Sequence, residues 1–319
     1  MREGRPSITA EGVAALRAME SLRPVEERIC YDPLARYFLG RGLGILIRSR
    51  LVRKIAFWAV ERIAPGLAGD IIGRVRYIDD RVQRAIREGV KQLVILGAGY
   101  DSRAYRINEL AETVRCFEVD HPATQKVKIE RIKRAFGRLP DNVVYVPTDF
   151  ERDDVSRQLT DAGYDSSLRT LFIWEGVTMY LTAEAVDRVL DFVSNRSREG
   201  SAILFDYVHR SFIEDEYLNQ GDENLKTLGR VRRAYERVDQ PFTAEPFTFG
   251  ITEGTVADFL TAKGFFPVEE VTGEFLKENY FRGPNEKRKV LSICGFVHAT
   301  VKRGEDVLAS KGRGQDGAL

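Results

Sequence analysis

The 319-residue chain is 43% hydrophobic and sets 49 Lys and Arg against 48 Asp and Glu, a formal charge of +1. That composition is ample for one large α/β domain, and the balance leaves no field of one sign to gather nucleic acid or an anionic membrane. No run reaches the ~18 uncharged residues of a membrane span, the first residues lack the apolar centre of a secretory signal, and three cysteines widely separated from one another, with only three histidines, fit reduced, mostly buried thiols better than disulfides or a zinc site.

These features predict a cytoplasmic protein whose partner is a small molecule; they leave its oligomeric state open. In chain order, Thr9-Ala10-Glu11-Gly12 followed by Val13, Leu16, Met19 and Leu22 predicts a capped amphipathic helix closed by Arg23-Pro24. A short helical stretch is expected at 33–39. Residues 42–63 interleave Leu46, Ile47, Leu51, Ile55, Phe57, Trp58 and Val60 with Arg48, Arg50, Arg53, Lys54, Glu61 and Arg62. Such a helix can lie on a membrane surface, but the apolar positions suffice to bury one face, so the simpler expectation is packing over the sheet or a cofactor mouth. Residues 71–90 continue as helix, with Arg74, Arg76 and Arg81 on it and Gly89 as its stop.

Leu93-Val94-Ile95-Leu96 then reads as a strand buried on both faces of a parallel sheet, because four large apolar residues follow one another without polar alternation. Strands are expected at 114–120, 143–147, 170–174 and 201–207, with helices after the glycine loop and at 123–136 and 183–195, the βαβα rhythm of a doubly wound sheet. A charged insertion at 209–249 breaks that rhythm. A helix within 254–264 precedes two strands, 265–272 and 289–301, close enough to pair antiparallel. The tail at 304–319, rich in Gly and charge, is expected to be disordered. The expected organisation is a helical lid at 1–90, a core at 91–303 carrying the insertion, and the tail.

The chemistry concentrates where the first strand ends. Gly97 and Gly99 allow positive φ and a close backbone approach to a ligand, and the amides beyond them point over the strand's carboxyl end. A dinucleotide fingerprint would place its third glycine at Ser102. Asp120 ends the next strand 21 residues after Gly99, the spacing at which an acid accepts hydrogen bonds from both ribose hydroxyls. The pair points to an adenosine-containing ligand without a demanding pyrophosphate site, of which S-adenosylmethionine is the commonest.

Three ordered blocks, from Leu96-Gly97-Ala98-Gly99-Tyr100-Asp101-Ser102-Arg103-Ala104-Tyr105-Arg106 through Phe117-Glu118-Val119-Asp120-His121-Pro122 to Trp174-Glu175-Gly176-Val177-Thr178-Met179-Tyr180-Leu181, resemble the signatures of the leucine carboxyl methyltransferase family. The likeness is strongest to its bacterial branch of S-adenosylmethionine-dependent O-methyltransferases and spans about 9–301. It implies a class I methyltransferase (Rossmann-like) α/β sheet of seven strands, the last antiparallel, with an N-terminal helical lid and an insertion after the fifth strand. By position it implies that Gly97 packs against the cofactor's methionine part, that Asp120 binds the ribose, that Asp149 and Phe150 flank the adenine and that Glu175 lies near the amino group. The arginine that grips the carboxylate falls in Gly73-Arg74-Val75-Arg76, with Arg74 preferred to Arg76. Trp174, where a small residue is expected, and Phe150, where leucine is more usual, depart from the pattern.

Each of these residues has a purely structural alternative. Asp120 can cap the helix after it, Thr148-Asp149 can be a turn, Glu175 can open a helix, and Arg74 and Arg76 can be solvated charges. Tyr180, Asp206 and His209 fall where the crevice should open; Tyr180 can orient an acceptor and Asp206 or His209 can deprotonate a hydroxyl, with core packing and helix capping as the alternatives. A carboxylate acceptor, ionised above pH ~4, needs no base. The expected activity is transfer of a methyl group to a carboxylate or hydroxyl of a small molecule. The alternatives are an NAD(P)-dependent oxidoreductase, disfavoured by Ser102, and a non-catalytic S-adenosylmethionine-binding protein.

Overall fold

A computed structural model describes residues 8–214, 229, 247–291 and 294–302. Its frame is one mixed sheet ordered β3-β2-β1-β4-β5-β8-β7, comprising β1 (Gln92–Leu96), β2 (Arg115–Asp120), β3 (Val143–Pro147), β4 (Thr170–Trp174), β5 (Ala202–His209), β7 (Phe265–Val271) and β8 (Cys294–Val301). The first five run parallel, while β8 lies antiparallel between β5 and β7. This is the seven-strand path with its last strand reversed that the sequence predicts. An eighth strand, β6 (Gly250–Ile251), pairs with the end of β5 and is not anticipated.

The sheet is buried on both sides, which is why its central strands read as unbroken apolar runs. On one face Val94, Leu96, Phe117 and Phe172 pack against α8 (Val155–Asp161), α9 (Ala183–Arg196) and α11 (Val256–Ala262). On the other, Leu93, Ile95, Cys116 and Ile173 pack against α4 (Leu67–Arg87), α6 (Asn108–Thr113) and α12 (Gly273–Tyr280). Between β1 and β4 the strand order reverses, so the loops after these two strands diverge and leave a crevice at their carboxyl ends.

Ahead of the sheet lie α1 (Ile8–Ser21), a 3₁₀ turn at Ala35–Phe38, α2 (Arg41–Leu46) and α3 (Arg50–Ile63). The single helix expected over 42–63 is broken: Ser49 accepts a hydrogen bond from Val52 N (3.5 Å) and restarts the chain as α3. Ala14, Ala18 and Met19 of α1 share a cluster with Phe38, Ile71 and Tyr100, and the rings of Phe38 and Tyr100 stack with centroids 5.4 Å apart. The N-terminal helices therefore rest directly on the loop that follows β1. Further described elements are α5 (Arg103–Arg106), α7 (Pro122–Phe136), α10 (Arg210–Ile213) and the 3₁₀ turns Thr178–Tyr180 and Gly283–Asn285. Sequence reading misses α8 and also α12, which separates β7 from β8. The expected tail and most of the insertion, 215–246 apart from residue 229, lie outside the described residues.

Candidate active site

The loop after β1 is built of backbone. Gly97 has φ of 66°, and a Cβ on it would collide with the Cγ2 methyl of Val177, so the position combines a left-handed conformation with close approach of the loop after β4. Asp120, at the end of β2, ties this loop down: its Oδ2 accepts from Gly99 N (2.6 Å) and its Oδ1 from His121 N (2.7 Å). The side chain that caps α7 is His121, whose Nδ1 accepts from Ala123 N (3.2 Å), so helix capping does not account for Asp120. Burial pushes the Asp120 carboxyl up to about 6, against the pull of the His121 amide, Lys128 and the Gly99 amide. A carboxylate offers about four acceptor positions, and two are used here.

Beside it runs a buried chain of ion pairs. Arg74 on α4 contacts Asp70 one turn earlier (3.2 Å), Glu175 after β4 (3.2 Å) and Asp206 on β5 (2.8 Å). Arg103 on α5 reaches the other oxygen of Glu175 (3.0 Å), Asp79 (2.8 Å) and its neighbour Asp101. Arg106 links Asp79 (2.6 Å) to Asp32 (3.8 Å), and Arg17 of α1 also holds Asp32 (3.1 Å). Among the described residues the chain joins four guanidiniums to six carboxylates. Burial pushes Asp70 up to about 6 despite Arg74, and raises Asp206 likewise. For Asp101 burial acts upward too, but Arg103, Lys128 and Arg17 outweigh it and hold the carboxyl at about 2.

Arg76 faces the other way. Its Nε lies 2.9 Å from Asp80 Oδ1, its guanidinium sits 5.7 Å from the Tyr280 ring centre, and it is half exposed. Sequence reasoning assigned no roles to Arg17, Asp32, Asp70, Asp79, Asp101, Arg103 or Arg106, which complete the network. It also missed Lys128, a buried cation on α7 whose Nζ lies 2.8 Å from Glu118 Oε1 and 3.3 Å from the carbonyl of Ala98 in the glycine loop.

At the far side of the crevice, Asp149 takes part in a turn, accepting from Glu151 N (3.1 Å) while its own N donates to Asp153 (2.8 Å). The Phe150 ring is buried against Trp174 with centroids 6.2 Å apart, and Trp174 leans in turn on Phe205. The two departures from the family pattern are therefore partners in the core rather than walls of the crevice. Asp206 is wholly buried, its Oδ1 accepting from Gly176 N (2.6 Å). Tyr180 and His209 lie nearer the surface: the Tyr180 ring packs on Phe247 (5.5 Å), and His209 Nδ1 is 3.7 Å from Glu253.

The family profile of leucine carboxyl methyltransferase matches residues 10–194. The chain belongs to this family. Several relatives carry the name "Putative S-adenosyl-L-methionine-dependent methyltransferase". One from Frankia alni is 39% identical over 65% of this chain and 70% of its own; one from Mycolicibacterium smegmatis is 30% identical over 92% and 94%; one from Bacillus subtilis is 27% identical over 95% and 100%. A solved structure of a DUF574 family protein from Streptomyces avermitilis superposes with a TM-score of 0.53 at 15% identity, covering 79% of this chain and 91% of that one, which shows the fold. The chain is thus a leucine carboxyl methyltransferase family enzyme that uses S-adenosylmethionine.

The crevice suits that cofactor. A sulfonium with an α-amino acid is a net cation, and the buried network beside the glycine loop carries more carboxylates than guanidiniums. The loop itself is backbone rather than side chain at Gly97 and Gly99, and Asp120 keeps acceptor positions for hydroxyl groups. Among the described residues no helix is long and apolar enough to cross a membrane, and no cluster of three or more His, Cys, Asp or Glu is placed to hold a metal.

Proposed function

We propose that this enzyme methylates an oxygen of a small molecule, and that its preferred acceptor is a carboxylate. The observation that carries this reading is the state of Asp206, the candidate base on β5: it is buried, paired with Arg74 and bonded to Gly176 N, and so cannot serve as a base for a hydroxyl. An acceptor that arrives already ionised needs none. Bound S-adenosylmethionine supplies the electrophilic methyl group. The protein's part is to hold the donor's ends, align the acceptor and exclude water.

For the donor, Asp120 receives the ribose hydroxyls, Gly97 and Gly99 give the adjoining backbone, and Glu175 faces the ammonium. Arg74 has its Nε and Nη1 engaged with carboxylates, which leaves Nη2 for the donor's carboxylate. Asp149 offers a carboxylate to the adenine; with the Phe150 ring in the core, that residue contributes through its backbone. The helices of residues 1–90 act as a lid, since α4 supplies Arg74 and α1 packs on Tyr100. For the acceptor, Tyr180 orients the bound molecule beside the apolar residues Met179, Val208 and Phe212. Three unpaired thiols, Cys30, Cys116 and Cys294, support a cytoplasmic site of action.

A second reading, a hydroxyl acceptor with His209 as base, is favoured by the contact of His209 with Glu253. Initial rates with carboxylate and phenol acceptors between pH 6 and 9 separate the two. A flat profile that survives His209→Ala is expected; a bell-shaped profile lost in that variant would establish the hydroxyl reading.

A further inference from the structure

We propose that the outer face of α2 and α3 docks on an anionic lipid surface. The helix α3 is apolar on two sides. Ala56, Phe57 and Val60 turn inward onto the cluster shared with α1 and α4, yet Leu51, Ile55 and Trp58, spaced at three and four residues along a different face, are 66%, 56% and 65% exposed. Leu46 on α2, 56% exposed, adds to the patch. Large apolar side chains clustered on a surface rather than scattered mark an interaction site.

The charges around the patch identify the partner. Arg50, Lys54 and Arg62 are exposed on α3, and Arg48 is exposed in the turn that leads into it. Glu61 is the one acid between residues 42 and 63, and its carboxylate is turned back to accept from Gly66 N (3.1 Å). Arg53 is also turned inward, donating to the carbonyls of Ile47 (2.8 Å) and Arg48 (2.9 Å) at the end of α2. The result is an apolar stripe with an Ile, a Leu and a Trp, rimmed only by cations among these exposed side chains, the surface chemistry of a helix lying in the headgroup plane of an anionic bilayer. A second copy related by a two-fold axis would set these cations against themselves. The chain's overall charge of +1 conceals this local concentration. Just beyond α3, Ala64 packs with Met179 beside Tyr180, so a docked bilayer lies next to the acceptor mouth.

The proposal is independent of the acceptor's identity and is tested on the full chain with vesicles. Of the two tryptophans, Trp174 is wholly buried, so a change in emission on binding reports Trp58. Sedimentation with phosphatidylcholine vesicles containing about 30% phosphatidylserine should carry the protein down and shift its emission to the blue. Pure phosphatidylcholine should bind at least about tenfold more weakly, and raising the salt should release the protein. Lys54→Glu with Arg62→Glu, and separately Leu51→Ser with Ile55→Ser, should each lower binding about tenfold or more while leaving the melting temperature close to that of the parent. The idea is overturned if anionic vesicles do not bind, if neutral vesicles bind equally well, or if both double variants bind like the parent. It is equally overturned if acrylamide fails to quench Trp58 without lipid, which would mean that residues 215–246 or a second copy, seen as a doubled mass by light scattering, already cover the face.

Discussion

The two sides of the crevice are made from different materials. On the side proposed for the donor, buried charges are locked to one another and to backbone amides: Arg74 and Arg103 share Glu175, and Asp120 draws in the amides of Gly99 and His121. The side proposed for the acceptor is a set of apolar and aromatic side chains, Met179, Tyr180, Phe212 and Phe247, packed beyond the ends of β4 and β5. A network of ions tolerates little change in any member, whereas apolar contacts can be exchanged for others of similar volume. One side is thus suited to a single cofactor and the other to divergence among relatives.

The sharpest way to break that contrast is Arg74→Ala. It strands the buried Asp70 and Asp206 and leaves Glu175 to Arg103 alone, and we expect a loss of about 3–5 kcal/mol in stability by chemical denaturation, with loss of S-adenosylmethionine binding by calorimetry. Arg76→Ala, which removes an exposed pair, should shift stability by no more than about 0.5 kcal/mol and leave affinity unchanged. Normal cofactor binding by Arg74→Ala would remove it from the site.

Next in size is an effect of pH. Asp70 and Asp120 hold their protons up to about pH 6 in the folded protein, and an unfolded Asp releases its proton near ~3.9. The folded state therefore binds more protons between these values, and stability should fall as pH rises from about 4 to about 6, by about 2–3 kcal/mol per group, then level off. Asp120→Asn should remove its share of that slope. Because the proposed ribose contact needs the ionised carboxylate, cofactor affinity should weaken up to about tenfold per unit below pH 6 in the parent, and be lower but pH-independent in Asp120→Asn.

Gly97→Ala should cost about 1–3 kcal/mol through its φ of 66° and the collision with Val177. Adding Val177→Ala should restore part of that loss, since it relieves the collision and not the backbone conformation; fully additive losses would show that the two do not press on each other. Smallest of all on the donor side, Tyr180→Phe and His209→Ala should change S-adenosylmethionine affinity by less than about twofold, and only Tyr180→Phe should alter acceptor turnover. A large drop in donor affinity in either would show that the two sides are one.

Much of this was legible in the chain. The central strands announce themselves because burial on both faces demands continuous apolar residues, and the glycine loop and Asp120 follow from their spacing. The choice between Arg74 and Arg76 was also within reach. Ile71, Val75, Ile78 and Val82 fix the inward stripe of α4, and at 100° per residue Arg76 lies nearly opposite it while Arg74 borders it. Other features left no local trace. Helix α8 buries only Val155 and Leu159, one pair too few to show a period. The break between α2 and α3 is masked because α3 is apolar on two sides. Two of the partners of Arg103, Asp79 and Glu175, lie 24 and 72 positions away, a proximity that only the fold creates.

The position of β8 reaches beyond the site. Among the described residues it is the last strand in the sequence but not in the sheet, where it sits between β5 and β7. As a nascent chain emerges, β1 to β5 can associate in order, but β5 must wait with an unpaired edge until residues 294–301 have been synthesised and slotted in. Ribosome-bound chains stopped before that point should therefore be the species most dependent on chaperones, and most ready to pair wrongly with their neighbours.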